Sequence, residues 1–444
     1  MSADHLFVLL HGFWGNMSHL YKARELLLNE YPDAQVLVAS TYAGNLTYDG
    51  ISICGRRVIT EIEDQIKEIN ESDGVAIRKF SVAGYSLGGL IARYVVGELY
   101  NSGFFNEIKP MNFTTFATPH LGTCSEKPGF ARWGFNYYGR NWLSQSGRDM
   151  FLGNDGIVPK LADPEGYHYR ALTKFERLSL YANITNDRSV PFFTAFMSER
   201  DPFTDLVNCK PQYVDKYEPV ILDLSREMKI LPTPVKRKWS RRDYIFFTVL
   251  FTVGPIILLG ALITITVSAQ LSERRIRQLY QSSASPSRSV EMMQQSGKNV
   301  TEAELMQDVV EDLLDATGAE EQDARSTNDG TQYQSSISDD SSVKNASSHK
   351  TRISSVSTLN TICSSVVAHK VRHPDSVGKY SPEKALDLEE VQIRMCNEMN
   401  KLEWNKYAVQ IHQTLHSHAA IVNRKGQLPE GDIVLGHWAE RLVV

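Results

Sequence analysis

A serine flanked by glycines, Gly84-Tyr85-Ser86-Leu87-Gly88, stands between a short apolar run, Phe80 to Ala83, and a helix-like segment, Leu90 to Tyr100. A serine at the apex of a strand–turn–helix can attack a carbonyl carbon if a base takes its proton and donors receive the charge that develops on oxygen. The glycines suit the strained turn such a serine requires, because a side chain at either flank would collide with the neighbouring strand or helix. Alone the pattern is weak, since glycine-rich turns with an ordinary serine are common.

The remaining parts of that chemistry have candidates in the expected chain order of nucleophile, acid and base. The base would follow the last strand, and His418, in Leu415-His416-Ser417-His418-Ala419-Ala420, comes just after the alternating run Tyr407, Val409, Ile411. His416 is its competing neighbour. The acid, which holds the imidazole in the right tautomer, would occupy a loop after a late strand. Asp187 does so, after Leu178 to Ile184, in Thr185-Asn186-Asp187-Arg188-Ser189-Val190-Pro191. Asp155, in Asn154-Asp155-Gly156, competes, but the run before it, Met150 to Leu152, is shorter and less strand-like. An oxyanion hole needs backbone N–H groups, and the loop His11-Gly12-Phe13-Trp14-Gly15 follows the buried run Leu6 to Leu10. The amides of Phe13 and Leu87 form the natural donor pair.

These residues must be carried by a regular frame. Leu6–Leu10 reads as a buried strand, an amphipathic helix starts at Ser18 or His19 and runs to Leu28, and Gln35–Ala39 is a second strand. Val58, Ile59, Ile62, Ile66 and Ile69 recur at helical spacing, and Asn112–Ala117 is the strand after the elbow. Strand and helix thus alternate, which predicts a mostly parallel sheet with helices on both faces. Residues 123–150 interrupt the pattern with Phe130, Trp133, Phe135, Tyr137, Tyr138 and Trp142, either a helical excursion on the core or an aromatic cap facing lipid. Late in the chain, Ser381-Pro382-Glu383 predicts a helix start, with Leu388, Val391, Met395, Met399 and Leu402 on one face.

Composition excludes several classes. The 444 residues carry a net charge of −5, which gives nucleic acid no electrostatic purchase. Five scattered cysteines (Cys54, Cys124, Cys209, Cys363, Cys396) fit neither a disulfide framework nor a zinc site. No metal or cofactor is implied, no secretory signal is visible, and no protein partner is indicated.

The most hydrophobic stretch, Tyr244–Ala269, has no interior charge and is long enough to cross a bilayer, with Arg241, Arg242 before it and Arg274, Arg275, Arg277 after it. Ser86 and Asp187 precede it and His418 follows it, so a single crossing would divide the three between two compartments. A hairpin reversing at Gly254-Pro255 keeps them together, with legs Ile245–Val253 and Ile256–Val267 reaching about half of a ~30 Å hydrocarbon core. Residues from Ser282 to about His373 are rich in Ser, Asp, Asn and Gln and read as disordered, apart from an acidic amphipathic stretch near Glu302–Leu314.

Taken jointly, His11-Gly12-Phe13-Trp14-Gly15, Gly84-Tyr85-Ser86-Leu87-Gly88-Gly89, Pro119-His120-Leu121-Gly122, Tyr181-Ala182-Asn183 with Asp187 and Val190-Pro191, and Ser417-His418-Ala419-Ala420-Ile421-Val422 resemble the DUF676-type serine esterase family of the α/β-hydrolases, in particular its fungal lipid-droplet phospholipases. The resemblance covers about residues 5–200 and 380–444. It implies a triad of Ser86, Asp187 and His418 and a lipid ester substrate. The resulting expectation is an α/β-hydrolase core (1–235) completed by 376–444, with a membrane hairpin (236–280) and a disordered insert (281–375) between them. Its activity would be hydrolysis of phospholipid acyl esters at the lipid droplet and endoplasmic reticulum membrane, facing the cytosol. Neutral-lipid hydrolysis and a non-catalytic membrane scaffold are the alternatives.

Overall fold

Leu6 to Leu10 offer water no polar face, and a run of this kind is stable only inside a sheet covered on both sides. In the computed structural model they belong to β1 (His5–Leu10), which is buried throughout. The structure describes residues 3–444 apart from 124–138, 141, 153–155, 188, 204–205, 207–208, 227, 231–259, 261, 280–383, 387, 415 and 425. β1 lies within a six-stranded sheet with β2 (Gln35–Val38), β3 (Lys79–Tyr85), β4 (Lys109–Phe116), β5 (Arg177–Asn183) and β6 (Trp404–Val409). The order is β6-β5-β4-β3-β1-β2, and every neighbouring pair is parallel.

Successive side chains of a strand point to opposite faces, so β1 feeds two cores. Leu6, Val8 and Leu10 pack with α2 (Ile51–Ser72) and α3 (Leu87–Asn101), whereas Phe7 and Leu9 pack with α1 (Tyr21–Glu30) and the Pro429–Glu440 helix. On α2 the spacing of Val58, Ile62 and Ile69 turns all three into the first core. Helices on both faces of a parallel sheet are the expected arrangement.

The chain leaves β1 for β2 on one side and returns to β3 on the other. Where strand order reverses, the loops at the C-terminal ends diverge and leave a crevice. The His11–Gly15 loop and the Ser86 turn are the loops at that point.

Two expectations meet the structure differently. The late helix begins at Glu390, where Glu389 and Gln392 form a reciprocal capping box, and not at Ser381-Pro382-Glu383, which lies outside the described residues. The nearby Lys384–Ala385 instead pairs with Arg200–Asp201. The apolar leg expected to end at Val267 continues as a helix over 262–279, and its far half turns Ser268 and Ser272 into the protein. Among the described residues no helix is long and apolar enough to cross a membrane. The Gly254-Pro255 reversal, the aromatic residues 130–138 and the 281–375 insert lie outside the described residues.

Candidate active site

β3 delivers Ser86 directly into α3, and the turn between them is forced. Ser86 has φ 55° and ψ −126°, a left-handed conformation that costs a non-glycine residue energy. The strain persists because its neighbours allow nothing else. A Cβ on Gly84 would stand 2.5 Å from the Gly88 carbonyl oxygen, and one on Gly88 would stand 2.5 Å from that of His11. The Ser86 N–H donates to the Phe116 carbonyl at 2.9 Å, tying the turn to β4.

His418 lies on a four-residue helix, Ser417–Ala420, after β6. Its Nε2 is 3.0 Å from Ser86 Oγ and its Nδ1 is 2.9 Å from Asp187 Oδ2, across sequence separations of 332 and 231 residues. With Nδ1 protonated toward the carboxylate, the Nε2 lone pair faces the serine hydroxyl, which makes it the atom able to accept the proton. The His418 side chain is buried, and the Tyr85 ring lies 5.0 Å from it, centroid to centroid. His416 contributes its backbone carbonyl to the same helix, accepting from Ala420 N–H at 3.0 Å. Asp155 lies outside the described residues.

Asp187 is held as tightly as it holds. Oδ1 accepts the Val190 N–H at 2.8 Å, and Oδ2 accepts the Asn183 side-chain amide at 2.8 Å in addition to His418. Asn183 Nδ2 also donates to the Ser417 carbonyl at 3.1 Å, and Ser417 Oγ donates to the Thr185 carbonyl at 2.9 Å. Asn183 and Ser417 therefore staple the acid loop to the histidine helix. Both stand inside the quoted motifs but are hard to tell from ordinary polar residues in sequence, Asn183 because it ends a strand and Ser417 because it opens a short helix.

Of the two amides expected to form an oxyanion hole, Leu87 is the residue after the serine and Phe13 belongs to a loop that lies against it. A Cβ on Gly12 would stand 2.8 Å from Ser86 Cβ, so the loop carrying Phe13 lies against the nucleophile. Leu87 is the first residue of α3, where an N–H has no partner within the helix. His11 braces the loop: burial holds its pKa down to about 4, and the neutral ring stacks on Tyr42 with Nδ1 donating to the Gly12 carbonyl at 3.0 Å. Among the described residues no three His, Cys, Asp or Glu side chains gather to hold a metal.

This arrangement is what acyl transfer through a serine requires. Residues 1–201 match the serine esterase family DUF676. The family description is "Putative serine esterase (DUF676)", and the match carries the motifs of Phe13, Ser86 and Asp187. "Putative lipase ROG1" of Saccharomyces cerevisiae is 31% identical over 259 residues, covering 54% of this chain and 34% of that protein. "Putative lipase C4A8.10" of Schizosaccharomyces pombe is 30% identical over 208 residues, covering 44% of this chain and 26% of that protein. The chain thus spans about a third or less of the length of these two relatives. Among solved structures, a phospholipase PlaB from Legionella pneumophila is 14% identical with a TM-score of 0.27, covering 43% of this chain and 42% of that one. That overlap is too slight to carry chemistry across. The resemblance to the serine esterase family therefore stands for the part of the chain that holds the nucleophile and the acid.

Proposed function

We propose that this chain is a membrane-associated serine hydrolase that cleaves acyl esters of phospholipids through an acyl-enzyme. The observation that carries the reading is the unbroken line from Asp187 Oδ2 through His418 to Ser86 Oγ, at 2.9 and 3.0 Å. Ser86 Oγ attacks the acyl carbonyl while His418 Nε2 takes its proton, and Asp187 keeps the imidazolium oriented and paired. The oxyanion of the tetrahedral intermediate accepts from the Phe13 and Leu87 amides. Collapse expels the lipid alkoxide, which leaves with the proton from His418. Water, deprotonated by the same nitrogen, then releases the fatty acid and restores Ser86.

The lipid part of the reading draws on two further observations. The curated relatives are named as lipases. The 262–279 helix, which begins inside the apolar stretch and runs beyond it, exposes Ile263 (58%), Val267 (49%) and Leu271 (41%), spaced four apart on one face, with exposed Arg274 beyond them. Such a stripe suits the boundary between acyl chains and anionic headgroups. A half-depth apolar hairpin fits a monolayer as well as a bilayer, so the proposed sites are the lipid droplet and the endoplasmic reticulum membrane, with the catalytic domain on the cytosolic side.

The decisive experiment is hydrolysis of a lipid panel by purified protein beside its Ser86→Ala variant, with a fluorophosphonate probe on both. Phospholipid cleavage and probe labelling, each abolished in Ser86→Ala, are the expected results. Labelling with turnover of triacylglycerol or sterol ester alone would move the substrate class. Absence of labelling would leave only a scaffold.

A further inference from the structure

The 262–279 helix, which begins inside the apolar stretch, meets residues 45–49 through polar side chains, and it also touches Ser144 and Arg148 through Ser272 and Glu273. Ser268 Oγ donates to Asn45 Oδ1 at 2.9 Å and Ser272 Oγ donates to Asp49 Oδ1 at 2.6 Å. Arg275 Nη2 donates to Asp49 Oδ1 at 2.8 Å and to the Asn45 carbonyl at 2.7 Å. Asp49 is fully buried and is also paired with Arg57 Nη2 at 2.7 Å. Ile265 and Ala269 of the same helix pack against Trp14 and Tyr48.

The other side of the segment Gly44–Asp49 holds the oxyanion loop. Gly44 N–H donates to the Gly15 carbonyl at 2.9 Å, Trp14 N–H donates to Thr47 Oγ1 at 3.1 Å, and Trp14 Nε1 donates to Tyr48 OH at 2.7 Å. Trp14 has φ 57°, a conformation that a tryptophan keeps only when its surroundings impose it. Phe13 lies between Gly12, which abuts Ser86, and this strained Trp14, so the aim of its N–H depends on where residues 44–49 hold Trp14.

We propose that Arg275 is a positioning residue for the oxyanion loop, acting through Asp49 and residues 44–49 on Trp14 and hence on the Phe13 amide. The proposal rests on the serine hydrolase reading above. Charge balance alone does not explain Arg275, because Arg57 already neutralises Asp49, and truncating Arg275 leaves that carboxylate paired. What Arg275 adds is geometry: with Ser272 on Oδ1 and Arg57 on Oδ2, it fixes the carboxylate from two directions and carries the Asn45 carbonyl with it. The helix that emerges from the apolar stretch thereby completes the catalytic centre.

The test measures kcat per active site, titrated with a fluorophosphonate, on a soluble short-chain ester for Arg275→Met, Arg275→Lys, Ser272→Ala and Thr47→Val. A loop displaced by a fraction of an ångström should cost about 10- to 30-fold in kcat per titrated site in Arg275→Met, with KM within about twofold. Arg275→Lys should recover part of the loss, and Ser272→Ala should lose about threefold, which keeps the test open if Arg275→Met folds poorly. Combining Arg275→Met with Thr47→Val should be no worse than the weaker single variant, since both break one path. A fall in the titratable fraction with wild-type kcat per site, or strictly additive losses, would overturn the proposal and leave the hydrolase reading intact. A wild-type protein that neither labels nor turns over would remove both.

Discussion

Replacing Asp187 by asparagine removes one acceptor from a position where the structure uses both. Each carboxylate oxygen faces only donors: Oδ1 the Val190 N–H, and Oδ2 the Asn183 amide and His418 Nδ1. An asparagine has one acceptor oxygen, so its NH2 group must confront a donor in either orientation. Turning the NH2 toward Val190 opposes two donors in a buried site. Turning it toward His418 selects the opposite tautomer, with the proton on Nε2, and Ser86 then faces a nitrogen that cannot accept. Loss of the paired imidazolium and of the productive tautomer together should reduce kcat by about 10⁴, equivalent to about 5 kcal/mol in the barrier. KM should change by less than about threefold, because neither effect touches substrate binding. The assay is steady-state hydrolysis of a soluble ester by purified protein, with thermal unfolding and Asp155→Asn as controls. Activity within tenfold of wild type in Asp187→Asn, or a larger loss in Asp155→Asn, would refute the assignment of the acid.

Gly88→Ala should abolish activity and depress the melting temperature by several degrees, because its Cβ would enter the backbone of His11, 2.5 Å from the carbonyl oxygen; a stable, active variant would show that the first turn of α3 can shift. Burial lowers the pKa values of His5, His11 and His168 from 6.5 to about 4 and of His437 to about 3. Between pH 6.5 and about 4 the unfolded chain therefore binds protons that the folded chain does not, so stability should fall on acidification by about 1.4 kcal/mol per pH unit for each such histidine; denaturant titrations across that window that show no pH dependence would contradict it. Deleting residues 290–370 should leave activity and melting temperature near wild type, since all six strands of the sheet lie elsewhere; a large loss would place part of that segment against the enzyme. Tags after Met1 and Val444 should both be digested by protease in intact microsomes, and protection of one alone would mean a single crossing that separates Asp187 from His418.

The frame was legible because burial on both faces of a parallel sheet leaves an unmistakable trace. Leu6–Leu10 is a continuous apolar run, Phe80–Ala83 and Leu178–Ile184 are largely apolar, and each falls on a strand of one sheet. Ser86 and Asp187 were legible for a local reason, because a strained elbow and a post-strand loop constrain neighbouring residues. The motif Ser417-His418-Ala419-Ala420 favours His418 over His416, and the Ser417–Ala420 helix sets the His418 Nε2 3.0 Å from Ser86 Oγ. What stayed hidden were contacts between distant residues. Nothing around Asp49 announces that Arg275 will reach it, and the arginines flanking an apolar stretch read first as headgroup ligands. Lys406 was equally opaque: a lysine within an alternating strand suggests a solvated face, but its amine is buried and donates to the carbonyls of Phe196 and Met197.

The 332 residues between Ser86 and His418 also order events in time. At roughly 5 to 20 residues per second, the ribosome needs about 15 to 70 s to travel from the nucleophile to the base. Once residue 269 has been made, the growing chain holds Ser86, Asp187 and the whole apolar stretch, but not yet the imidazole that the proposed mechanism uses to activate the serine. Under the proposed function, the nascent polypeptide can meet a lipid surface before it can hydrolyse anything there. The proposed hydrolysis becomes available only when β6 adds to the edge of the sheet beside β5 and brings the imidazole with it.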